Sequence, residues 1–247
     1  MSLFQICYGP EIGAILQSIQ KYPGISKVEL VTKYQYQPQG DISSLVDAAL
    51  NFLLNLKYIQ IDNLKNIWPM HKDRIKEIHY LSRIKEIADE TNNPTDPNYI
   101  FSTMYYQLFV VPNQLYIKDL YYEANLIFEN LAISQEKVNA WKRMMEYFGL
   151  GYRVYGGFYA LPHSKLMKSI VQESGTWEGP LQIFFEKKIN SFIPCIYNGT
   201  VFHGILYSIF NLNGVNIAEL TKKQDLPYLS YGEKKQWNWV KLGGEST

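Results

Sequence analysis

Only two cysteines, Cys7 and Cys195, occur in 247 residues, and they stand far apart in the chain. A secreted domain of this length ordinarily carries a disulfide framework, so both are expected to be free thiols in a reducing cytoplasm. Charge of one sign is missing too. The 24 Lys and Arg against 23 Asp and Glu leave a net charge of +1, which excludes the strong positive field of a protein that coats nucleic acid and confines any DNA contact to a local patch. No stretch reaches the roughly 18 uncharged apolar residues of a membrane span. The opening Met-Ser-Leu-Phe-Gln lacks a basic region followed by an apolar core, so neither export nor a membrane partner is expected.

The residue sets that announce catalysis are also absent. There is no GxxxxGK[ST], HExxH, GxSxG or CxxC pattern, which removes the usual signatures of nucleotide hydrolysis, zinc proteolysis, serine hydrolysis and thiol redox chemistry. Ser18-Ile19-Gln20-Lys21 matches SxxK by letters alone, since its companion motifs are missing and Ile19 falls in an apolar stripe. His71, His79, His163 and His203 are scattered; the first two fall about 80° apart on a helix and lack the close spacing and further ligands of a metal pair. The expectation is a protein with no catalytic residue, no metal site and no cofactor. A nuclease built from dispersed carboxylates and a lysine is the enzymatic alternative that stays open. Asn198-Gly199-Thr200, a glycosylation sequon by pattern, reads as a turn.

Apolar side chains are plentiful, at 47% of residues, with 20 Tyr and 12 Phe among them, enough for sizeable cores. Most rings fall where helical periodicity assigns a buried face, so they are read as core before base-stacking platforms. Residues 11–20 carry Ile12, Ile15, Leu16 and Ile19 in one stripe that halts at Tyr22-Pro23-Gly24. Ser26, with Glu29 three residues on, forms a capping-box pattern ahead of a short helix ending near Tyr34. Residues 37–40 turn the chain. Asp41 or Ser43 then starts a third helix with Val46, Ala49, Leu50, Leu53 and Leu56 on one face. Tyr58-Ile59-Gln60-Ile61-Asp62 alternates like a strand, with Asn63 as its turn.

This succession over roughly residues 10–68 resembles the winged helix-turn-helix superfamily, and Tyr22-Pro23-Gly24-Ile25-Ser26 and Leu56-Lys57-Tyr58-Ile59 carry the resemblance. It implies a third helix lying in the major groove and a wing on the backbone. The outward face of that helix offers Asp41, Ser43, Ser44, Asp47 and Asn51 and no cation before Lys57. Protein docking and DNA reading therefore stand level for this unit.

Residues 71–88 are expected to form the most basic helix, with Lys72, Lys76 and Arg83 sharing a face interleaved with Asp73, Glu77 and Glu86. Residues 89–98 have the composition of a linker. The pattern then returns. Residues 116–131 read as helix, Ser134 caps another with Val138, Trp141, Met145 and Phe148 in its stripe, and Gly156-Gly157 is expected to supply the positive φ of a hairpin turn. This second unit has the cations the first lacks: Lys137, Lys142 and Arg143 on the third helix and Arg153 in the wing. Further helices are expected over 163–171, 181–192, 201–210 and 216–223, the last capped by Asn216, followed by a hairpin of 228–231 with 236–240 and a frayed tail, 243–247. Lys222, Lys223, Lys234 and Lys235 are the second set of candidate phosphate contacts, with Trp237 or Trp239 as stacking groups.

The expected fold class is mainly α with short β-hairpins, in tandem winged-helix-type domains. Residues 1–90 form the first with its basic helix, 99–165 the second, and 166–247 a helical domain ending in a hairpin. The leading expectation is a non-catalytic DNA-associated protein that touches duplex DNA through Lys137, Lys142, Arg143 and Arg153. The alternative is a cytoplasmic adaptor or structural subunit of a multiprotein DNA-acting complex, in chromosome maintenance or antiphage defence, whose winged helices dock a protein partner.

Overall fold

The stripe of Ile12, Ile15, Leu16 and Ile19 folds into α1 (Pro10–Lys21), with all four side chains buried. Pro10 opens it where a missing N–H breaks no helical bond, and Glu11 sits at the positive end of the helix dipole. The computed structural model describes residues 2–37, 39–91, 93–129, 131–212, 218–224 and 227–243. Pro38 of the expected turn, Asn92 of the expected linker, Asn216 and residues 244–247 lie outside them. Among the described residues the chain is a mixed α/β structure, mainly helical, with several small antiparallel sheets.

After α1 come β1 (Ile25–Ser26), α2 (Lys27–Tyr34), α3 (Ser43–Asn55), β2 (Ile59–Ile61) and β3 (Asn66–Pro69), the sheet running β1-β3-β2. The capping box closes: Glu29 N donates to Ser26 Oγ at 3.2 Å, and Ser26 N donates to the Glu29 carboxylate at 2.7 Å. Asp62, rather than Asn63, organises the β2–β3 turn, its carboxylate accepting from the amides of Leu64 and Asn66 and from the Trp68 indole.

Helix α4 (Glu77–Thr91) begins later than its periodicity suggests. Gln20 on α1 donates its amide to the carbonyls of His71 and Asp73, holding the preceding segment out of the helix. Lys72 and Lys76 thus precede the helix and do not share a helical face with Arg83. Next come α5 (Pro97–Tyr105), a π turn that continues it (Tyr106–Val110), β4 (Tyr116–Ile117), α6 (Leu120–Ile127), α7 (Gln135–Tyr147), β5 (Tyr152–Val154) and β6 (Gly157–Tyr159), with sheet order β4-β6-β5. Asp119 accepts from Tyr122 N and starts α6, so the helix expected over 116–131 is a strand followed by a shorter helix. The positive φ of the β5–β6 turn falls on Tyr155, at 53°, and on neither glycine. Gly157 serves close approach instead: a Cβ there would lie 2.2 Å from the Ile117 carbonyl oxygen of β4.

The last stretch holds α8 (Ser164–Glu173), β7 (Glu178–Pro180), α9 (Leu181–Phe184) with a second π turn (Phe185–Ile189), β8 (Ile196–Tyr197), β9 (Thr200–Val201), α10 (His203–Phe210), β10 (Ala218–Thr221) and β11 (Trp239–Leu242). Asn198 and Gly199, at φ 47° and 75°, form the β8–β9 turn. The helix expected over 216–223 is instead β10, whose buried Ala218 and Leu220 alternate with exposed Glu219 and whose four residues pair with β11. The expected hairpin of 228–231 with 236–240 reduces to one bridge, Tyr231 to Trp237.

Residues 10–69 and 97–159 therefore repeat one connectivity, and 164–242 repeats it with the β8–β9 hairpin inserted between its second and third helices: helix, strand, helix, helix, then two strands of which the last lies in the middle of its sheet. Their buried side chains form one continuous cluster. Phe52 of α3 meets Phe101 and Phe148 of the second stretch, and Tyr105 meets Phe202 of the third. No helix among the described residues is long and apolar enough to cross a membrane.

Candidate functional site

The third helix of the first two repeats carries most of the contact residues expected from the sequence. On α3 the face with Asp41, Ser44 and Asp47 stays exposed or half-exposed, and another side of the helix is covered. Ala48 and Phe52 are buried, the Phe52 ring lies 6.2 Å from Phe101 and 6.3 Å from Phe148, and Asn98 donates its side-chain amide to Asn55 at 3.1 Å. Asp47 is tied to Lys27 at 2.6 Å.

Helix α7 is sheathed by the N-terminal segment. Leu3, Phe4 and Cys7 are buried, and Leu3 N donates to Asn98 Oδ1 at 2.7 Å. Lys137 Nζ stands 5.8 Å from the centre of the Phe4 ring, and the Arg143 guanidinium 4.9 Å from that of Tyr8. Lys142 is only 6% exposed and donates to the Gly156 carbonyl at 2.8 Å. Burial, and then the neighbouring Arg153, lower its pKa. Arg153 is paired with Glu146 at 2.5 Å. Of the four cations expected on this unit the fold brings Lys142 and Arg153 together, and each of the four is engaged by a ring, a carbonyl or a carboxylate of the same chain.

The second set is more open. Lys223 lies 3.6 Å from the Trp239 ring centre and 3.6 Å from the Glu178 carboxylate, while Asn238 clamps its backbone N–H and C=O. Lys222, Lys234 and Lys235 are exposed. Beside the last two runs a cleft of about 410 Å³ between α10 and the turn at 232–237. His203 and Tyr207 lie along it with ring centres 6.1 Å apart, and the Phe210 ring packs tilted against Trp237 with ring centres 4.4 Å apart. Leu206 completes the apolar wall, and Glu233 and Gln236 line it with polar groups. Tyr207 is 47% exposed. Sequence reasoning missed this cleft because His203-Gly-Ile-Leu-Tyr-Ser-Ile-Phe reads as apolar all round; the available signal was His203 and Tyr207 four residues apart, opposite Ile205 and Ile209. A second apolar patch, Tyr121, Tyr122, Leu126 and Ile127, is exposed on α6.

Compared with known proteins, the chain matches no family model, no curated protein and no solved structure.

Neither thiol is set up as a nucleophile: burial raises both pKa values, that of Cys7 to about 12. Among the described residues no group of three or more His, Cys, Asp or Glu is arranged to hold a metal ion. The chemistry these surfaces offer is recognition, through aromatic and apolar contact in the α10 cleft with a few flanking cations.

Proposed function

We propose that the chain is a non-catalytic adaptor, built from tandem winged-helix units, that docks a protein partner in the cleft between α10 and the 232–237 turn. The single observation that carries this reading is that α7 has its cations engaged by internal contacts and α3 carries no cation, whereas α10 keeps an aromatic face open. A helix entering a major groove needs cations free to meet phosphates and guanine edges. Those of α7 are engaged, and α10 has none. A groove walled by His203, Leu206, Tyr207 and Phe210 suits the apolar side of an amphipathic helix, with Glu233 placed for a basic residue at its rim.

The test combines two measurements. Purified protein is expected to show no salt-dependent affinity for random duplex DNA at about physiological ionic strength. A partner retained from the native host is expected to be lost from Tyr207→Glu and kept by Tyr122→Glu. A partner held equally by both variants would reject the cleft.

A second reading rests on Lys222, Lys234 and Lys235, all exposed, the last two on the turn that leads to Trp237: duplex binding through the third repeat. Affinity that falls steeply with salt and disappears in Lys234→Glu/Lys235→Glu would favour it over the adaptor.

A further inference from the structure

A different concavity, of about 540 Å³, lies where α4 meets the second and third repeats, within the range of small-molecule pockets. Helix α4 contributes Lys85 and Asp89, α5 and its π turn contribute Tyr99, Tyr106 and Gln107, and the end of the second π turn contributes Asn190. π turns insert an extra residue into a helix, re-aiming side chains, and they cluster at functional sites. Here the two of them border one cavity, each delivering a side-chain amide to its wall. The Asn190 oxygen already accepts from Cys195 N at 3.1 Å, which leaves its NH₂ to donate.

Ser102, also on the wall, carries the second observation. It is 8% exposed, yet its hydroxyl has no hydrogen-bond partner, while neighbouring Thr103 donates its own to the Tyr99 carbonyl at 2.8 Å. A shielded, unpaired hydroxyl is costly, and a ligand that supplies its partner recovers that cost. Among the described residues neither Lys85 nor Asp89 forms an ion pair, so both charges are free to meet a ligand.

We propose that this cavity binds a nucleoside 5′-monophosphate. Each part of such a molecule has a counterpart: tyrosine rings for the base, the Gln107 and Asn190 amides for its hydrogen-bonding edge, the Asp89 carboxylate for ribose hydroxyls, and the Lys85 ammonium for the phosphate. A simple anion would leave the rings and Asp89 unused; an apolar ligand would strand Lys85, Asp89 and both amides. Because the walls come from α4 and from the second and third repeats, the bound nucleotide ties those parts together, and this site is independent of the α10 cleft.

Calorimetric titration and thermal melting of the full chain with AMP, GMP, CMP and UMP, with adenosine and inorganic phosphate as controls, test the proposal. At least one monophosphate is expected to bind one per chain and raise Tm. Lys85→Glu is expected to weaken it roughly tenfold or more while changing adenosine binding little, and Gln107→Leu to weaken both. Tyr207→Glu should leave binding unchanged, which separates this result from the fate of the docking cleft. Four outcomes overturn the proposal: no binding at millimolar monophosphate, inorganic phosphate binding as tightly, affinity untouched by Lys85→Glu and Gln107→Leu, or a 5′-phosphorylated oligonucleotide binding more tightly than any free monophosphate.

Discussion

Helices α7 and α10 occupy the same place in the repeated connectivity, immediately before the last two strands of their sheets, yet one is sheathed and the other open. Helix α7 carries Lys137, Lys142 and Arg143, and every one of them is turned to an internal contact. Helix α10 carries no cation and presents His203 and Tyr207 outward. The difference lies in what each neighbour covers. Residues 3–9 fall across α7, and Phe101 and Phe148 close over one side of α3; α10 instead has a cleft along it. In a chain of fused repeats, then, the position of a helix in its unit does not decide its use, because packing between units can consume the surface that an isolated unit would offer.

The comparison breaks most readily at Lys142. Lys142→Glu would bury a carboxylate against the Gly156 carbonyl and near Asp119, with an expected loss of about 3–5 kcal/mol in urea unfolding. Lys142→Met keeps the stem and loses the bond, at about 1–2 kcal/mol. Phe4→Ala, which removes a buried ring packed edge-on against Phe101 at 5.2 Å, is expected to cost about 3 kcal/mol and to raise hydrogen exchange along α7. Trp237→Ala, in the open cleft, loses the ring contact with Phe210 but little core, and about 1–2 kcal/mol is expected. Lys234→Glu/Lys235→Glu, on an exposed turn, should stay within about 0.5 kcal/mol of the parent. If Lys142→Glu proved as mild as that last pair, α7 would have to be open in solution and the contrast with α10 would fall.

Much of the fold was legible in local pattern. The Ser26–Glu29 capping box, the α1 stripe and the Ser134 cap all act within four residues, and each forms in the structure. The failures share a cause in distance. Residues 218–221 looked helical because Asn216 and Glu219 imitate a capping box, whereas the deciding partner, β11, lies some twenty residues on. Lys142 looked exposed because it adjoins the Trp141 stripe without belonging to it; its burial depends on a carbonyl offered by the β5–β6 turn. The open face of α10 was invisible for the same reason, since no local pattern records whether another unit covers a helix. Lys222, Lys234 and Lys235, by contrast, were read as exposed and are.

A pH-dependent effect sets a surface charge network against the buried Lys142. Arg83 on α4 bonds Glu86 and Glu90, and Lys57 also reaches Glu90, tying α4 to the end of α3. The Arg83 hydrogen bond, then that of Lys57, hold the Glu90 carboxyl at about 2, below its ordinary 4.5. A carboxylate depressed in the folded state stabilises it above the unfolded value, and the contribution is lost as pH falls from about 4.5 through about 2. Because the Glu90 side chain is 48% exposed, solvent screening limits the effect to about 1 kcal/mol or less. Glu90→Gln should therefore lie slightly below the parent in stability at pH 7, with the gap closing as pH approaches 2 and shrinking in high salt. A gap that persisted at pH 2 would mean that Glu90 acts through packing, and a gap as large as that of Lys142→Glu would erase the distinction between charges fixed inside the fold and charges paired at its surface.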